Sequence, residues 1–203
     1  RGLGDVYKRQ IGGLTLAIGD IIVGMDIGTS KVSIVIGEVN NFNQIEVIYT
    51  DSQKCRGIKK GKIIDEDEIV LAVTKLIKNA EIDANLTINS TYITIPGKYV
   101  TIVQNSILKD AKDRYAGISM KDVSASIMQV SDIDIPEGKQ IIDIVTDRFI
   151  LENGRIVQDP VGSLSSSFTL KAQIILADKE YIKKITNILK RAYIEIDGLV
   201  PVT

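Results

Sequence analysis

Ile21-Ile22-Val23-Gly24-Met25-Asp26-Ile27-Gly28-Thr29-Ser30-Lys31-Val32-Ser33-Ile34-Val35-Ile36 sets two apolar runs around one polar turn. The first run, residues 21–25, is continuous, as in a strand covered on both faces. The second alternates, as in a strand returning from a hairpin with one buried face. Between them, Asp26-Ile27-Gly28-Thr29-Ser30-Lys31 collects the groups that hold a phosphate and its metal. A carboxylate at a strand end holds Mg²⁺ through waters, because that ion keeps much of its hydration shell. Gly28 lets the backbone approach a phosphate closely, and successive N–H groups around Thr29 and Ser30 cradle its oxygens, helped by their hydroxyls. Lys31 adds a point charge. The same six residues also suit a plain hairpin turn, since Asp, Gly, Thr and Ser are all turn formers. They do not form a Walker loop, which wants Gly-x4-Gly-Lys-Ser/Thr.

Composition removes other chemistries. The 203 residues contain no histidine, which excludes triads and metal sites that need imidazole. Cys55 is the one cysteine, so neither a disulfide nor a thiolate cluster forms within the chain. The 25 basic and 26 acidic residues nearly cancel, which leaves no electrostatic footprint for nucleic acid. Lys59-Lys60, flanked by Arg56 and Lys62, reads as a solvated loop.

Working outward, residues 1–10 are polar, patternless and begin without Met, and they run into an apolar stretch at 11–18. That order imitates a secretion signal. No small-x-small cleavage site follows, however, Asp20 interrupts the run, and the stretch falls short of the roughly 20 residues needed to span a bilayer. Residues 1–20 therefore read as a non-native or disordered leader. Downstream, residues 45–49 make a third strand of a meander. Asp65 with Glu68 begins a helix in the manner of a capping box, and Ile69, Val73, Leu76, Ile77 and Ala80 share one face. Residues 91–95 and 99–108 read as strands broken by Pro96-Gly97. Ser119 and Asp122 begin a second helix with Val123, Ile127 and Val130 as its stripe. A long strand at 140–151 ends at the Asn153-Gly154 turn signal. Residues 169–176 form another strand, Asp178 caps a helix striped by Tyr181, Ile182, Ile185, Ile188, Leu189 and Ala192, and residues 194–200 are the last strand. The expected order is meander, helix, inserted subdomain, then a crossover that extends the first sheet.

An apolar strand, Asp-x-Gly-Thr and two further strands resemble the first phosphate hairpin of the actin, sugar-kinase and heat-shock chaperone superfamily. Within it the chain resembles the FtsA family. Residues 23–32 are similar to that family's opening strand, and Arg56-Gly57-Ile58, Lys60-Gly61 and Ile64-Asp65 to its loop into the first helix. Tyr92-Ile93-Thr94-Ile95-Pro96-Gly97-Lys98 and Asp159-Pro160-Val161-Gly162 resemble the start and close of its inserted subdomain. The resemblance runs from about residue 21 to 202. It departs at Pro96, usually a small polar residue, and at Ser165-Ser166-Ser167, usually Gly-containing; both bear on the insert and not on the phosphate hairpin.

The resemblance implies an α/β, actin-like (ribonuclease H-like) sheet-and-helix domain with an inserted small strand-helix-strand α+β subdomain. Residues 21–88 and 167–203 would form the actin-like subdomain and 89–166 the insert. It implies ATP and Mg as cofactors at Asp26, Gly28, Thr29, Ser30 and Lys31, Asp26 holding Mg through water, in a cytoskeletal adaptor of cell division and septum assembly. Self-association and contacts with late division proteins would fall to the insert. FtsZ and membrane contacts would fall to C-terminal parts, at the cytoplasmic face of the inner membrane. The family's second hairpin, Gly-rich adenosine loop and terminal amphipathic helix find no counterpart here, so an N-terminal portion with half a cleft is expected, without hydrolysis of its own. A related actin-like pilus-assembly or cell-shape protein, or a small-molecule kinase, shares the first hairpin; the catalytic Asp and sugar loop of the kinases have no counterpart.

Overall fold

The computed structural model describes residues 17–113 and 115–202. Most of the expected leader lies outside them. Its last residues are bonded, however: the Gly19 N–H donates to Val39 O and the Val39 N–H to Asp20 O, so a leader ending at residue 20 cuts into a formed turn. In chain order the elements are β1 (Ile21–Ile27), β2 (Lys31–Val39), β3 (Ile45–Lys54), β4 (Ile58–Lys59), β5 (Lys62–Ile63), α1 (Glu66–Ala84), β6 (Ser90–Pro96) and a 3-10 turn (Gly97–Tyr99). There follow β7 (Val100–Asp110), α2 (Met120–Val130), β8 (Lys139–Leu151), β9 (Ile156–Val157), β10 (Ser167–Asp178), α3 (Lys179–Arg191) and β11 (Glu195–Val202). The described residues divide into two compact units, Thr101–Ala177 and the chain on either side of it.

The flanking unit is built on a five-stranded sheet in the order β11-β6-β1-β2-β3. β1, β2 and β3 pair antiparallel, while β6 runs parallel to both β1 and β11. Val23, Met25 and Ile27 of β1 meet Val32, Ile34 and Ile36 of β2 in the core. β1 thus buries one face only, because its other face carries Ile22, Gly24 and Asp26 toward partial or full exposure. α1 packs against β2, β3 and α3. Its apolar side is Ile69, Ala72, Val73, Leu76, Ile77 and Ala80, as the 3.6 spacing predicts. Asp65 caps α1 by accepting the Glu68 N–H at 3.0 Å. Asp178 caps α3 by accepting the Tyr181 N–H at 2.9 Å.

The 101–177 unit is a four-stranded sheet in the order β7-β10-β8-β9 with α2 beside it. Ile118, Val123, Ile127 and Val130 from the helix side meet Phe149, Phe168 and Leu170 from the strands. The Phe149 and Phe168 rings lie tilted at 6.0 Å between centroids.

Two strands differ from expectation. Residues 91–95 were expected to open the insert, yet β6 lies between β1 and β11, with Ile93 and Ile95 fully buried there. Residues 169–176 were expected to extend the first sheet, yet β10 lies between β7 and β8. The expected boundaries at 89 and 167 therefore move to about 101 and 177. The physical reason is that alternation reports a buried face and says nothing about which sheet supplies the cover.

Candidate functional site

The hairpin from Asp26 to Lys31 is a tight turn in which Gly28, Thr29 and Ser30 connect the paired strands. Ile27 faces Val32 in the ladder, and the Gly28 N–H donates to Lys31 O at 2.9 Å. Tight hairpins favour primed turns, which need positive φ; neither Thr29 nor Ser30 has it. Both are exposed, and among the described residues no acceptor meets either N–H. Two donors thus face outward at the tip, next to the exposed Lys31. A β-carbon on Gly28 would stand 3.2 Å from Lys31 O and 3.3 Å from Asp26 Oδ2, so a side chain here would crowd the space between turn and carboxylate.

Asp26 stands exposed near the end of β1. Its Oδ1 accepts a hydrogen bond from the Thr94 hydroxyl on the parallel strand β6. Tyr181, on the first turn of α3, is nearly fully buried. That burial, with the charges of Tyr99 and then Asp26, drives its phenol far above the ordinary value of 10.0. Tyr181 stacks on Tyr99 at 3.9 Å between centroids. The Tyr99 hydroxyl donates to Gly61 O at 2.8 Å, and Lys98 Nζ sits 4.6 Å over the Tyr99 ring while donating to Lys60 O at 3.1 Å. The pair also borders a recess of about 320 Å³ lined by Lys62, Asp178, Glu180 and Lys184. On the other side of the turn, the N–H of buried Cys55 donates to Ser30 O at 3.1 Å.

All five expected site residues, Asp26, Gly28, Thr29, Ser30 and Lys31, thus fall on one turn. Thr94 and Tyr181 were not expected. Thr94 is 68 positions from Asp26, and no local motif marks it. Its only signal is the parallel pairing of two strands that end side by side. Among the described residues, no group of three or more His, Cys, Asp or Glu side chains is placed to hold a metal. No described helix is long and apolar enough to cross a membrane.

Residues 97–176 match the family described as the SHS2 domain inserted in FTSA. The cell division protein FtsA of Pseudomonas aeruginosa is 24% identical over 182 residues, covering 90% of this chain and 43% of that protein. FtsA of Bacillus subtilis is 24% identical over 180 residues, covering 89% of this chain and 41% of that protein. The chain thus spans less than half the length of these relatives. Among solved structures, a chain of the PilM-PilN type IV pilus biogenesis complex matches with a TM-score of 0.59 at 11% identity, over 89% of this chain and 47% of that one. The α/β, actin-like class with an inserted subdomain stands as expected. Residues 97–176 thus match the SHS2 domain inserted in FtsA, and about 90% of the chain is similar to FtsA proteins.

Proposed function

We propose that the chain contributes one half of an ATP-binding cleft to an actin-like adaptor of bacterial cell division and septum assembly. One observation carries the reading. The Asp26–Lys31 turn presents two uncommitted N–H groups, two hydroxyls and an ammonium beside a carboxylate already oriented by Thr94. This donor set fits a magnesium-bound phosphate. Asp26 would accept from the ion's waters, Gly28, Thr29 and Ser30 would cradle phosphate oxygens, and Lys31 would offset their charge. Bound magnesium would neutralise phosphate charge there. At most weak ATPase activity belongs to this reading for the full-length protein, and none for these 203 residues.

The insert would carry self-association and contacts with late division proteins. Supporting that assignment, β7 is an edge strand, and a polar recess of about 330 Å³ opens among Gln104, Ser106, Asp147, Lys171 and Gln173. FtsZ and membrane contacts would lie in C-terminal parts outside this chain, placing the full-length protein at the cytoplasmic face of the division site. The likeness to the pilus complex is one of fold and favours no second function.

The test is calorimetry on the full-length protein. Asp26→Ala and Lys31→Ala should each weaken ATP binding about tenfold or more, since each removes a hydrogen bond or contact to a charged group. Unchanged affinity in both variants sinks the assignment.

A further inference from the structure

We propose that Thr94 is a positioning residue that restricts Asp26 to one-oxygen engagement and so suits the hairpin to hydrated magnesium over calcium. The proposal rests on the phosphate reading of the hairpin. β1 and β6 are parallel, with Gly24 beside Tyr92 and Met25 beside Ile93. The next pair along brings Thr94 to Asp26, and the Thr94 hydroxyl donates to Oδ1. That bond engages one of the two carboxylate oxygens. The other, Oδ2, is the one that overlooks Gly28, 3.3 Å from where a β-carbon would stand.

The two ions want different things from such a group. Calcium takes six to eight oxygens and often grips a carboxylate with both. Magnesium keeps an octahedral shell of mostly water and needs only an acceptor for it. A carboxylate with one oxygen committed to a hydroxyl favours the second arrangement.

The experiment titrates the full-length protein with tripolyphosphate plus Mg²⁺ or Ca²⁺ and follows the hairpin amides by NMR. Wild type and Thr94→Ser should favour Mg²⁺. Thr94→Val, similar in volume but without the hydroxyl, should move the Mg²⁺/Ca²⁺ preference about tenfold toward Ca²⁺, the scale of one hydrogen bond to a charged group. Thr94→Ala takes its place if the valine variant does not fold. An unchanged ratio in the hydroxyl-free variant, or a serine variant that behaves like it, overturns the proposal. Asp26→Asn separates the two levels. If it abolishes the metal-dependent shifts while Thr94→Val changes nothing, Thr94 alone is wrong. If it leaves them intact, or if wild type shows none, the hairpin reading fails and this proposal with it.

Discussion

Asp122 is 1% exposed and completes a reciprocal cap at the start of α2. The Ser119 N–H and hydroxyl donate to its Oδ2 at 2.9 and 2.6 Å, and the Asp122 N–H donates to Ser119 Oγ at 3.2 Å. Burial alone would raise its carboxyl. The Ser119 bonds, with the backbone and charge of Lys112, outweigh burial and hold it below the ordinary 3.8. Oδ1 is buried without a partner at hydrogen-bonding geometry among the described residues, so Lys112 acts on it at longer range. A carboxyl lowered by folding stabilises the protein above its unfolded value, and that contribution disappears as pH falls through the folded value. The expected outcome is a loss of insert stability below pH 3.8 that Asp122→Asn no longer shows. Asp122→Ala should cost roughly 1–3 kcal/mol at neutral pH by losing these charge-assisted bonds. Acid melting curves check both, and an unchanged acid limb in the asparagine variant counts against the account.

The approach to α1 shows how far local chemistry reaches. Asp65 was legible as a cap because a short side-chain oxygen before an apolar stripe has one common use. The reciprocal half of the box was misread: Glu68 accepts the Arg56 N–H at 2.7 Å, a partner 12 residues back that no four-residue pattern contains. The β4–β5 hairpin was read as plain loop. Its signal was Lys60-Gly61, which takes positive φ at both residues, 50° and 70°, as a primed turn requires. Gly57 ties these pieces together, since its carbonyl accepts the Ile64 and Asp65 N–H groups at 2.8 and 3.1 Å. A β-carbon there would stand 2.4 Å from Asp65 O and 2.5 Å from Ile69 Cγ1. Gly57→Ala should therefore displace the cap of α1 and cost roughly 1–3 kcal/mol, the usual range for overpacking. Chemical denaturation measures it, and a variant as stable as wild type would refute the close approach.

For the whole molecule, the long strands were legible from their apolar patterns, but the sheets to which β6 and β10 belong were not, because their pairing partners lie dozens of residues apart. The misassignment has a direct consequence. A segment spanning 101–177 retains β10 between β7 and β8 and should melt cooperatively by circular dichroism. A segment spanning 89–166 lacks that central strand, with buried Phe168, Leu170 and Ala172, and should not fold. Cooperative melting of the shorter segment would contradict the sheet order. The outer unit, for its part, carries a built-in clock. Cys55 is the one thiol of the chain, 1% exposed, its thiol pushed up by burial, and its N–H is bonded to Ser30 O at the tip of the Asp26–Lys31 turn. A thiol-reactive dye can reach it only when that unit opens. The labelling rate of the unmodified protein therefore times the breathing of that turn, while motions confined to the insert stay silent.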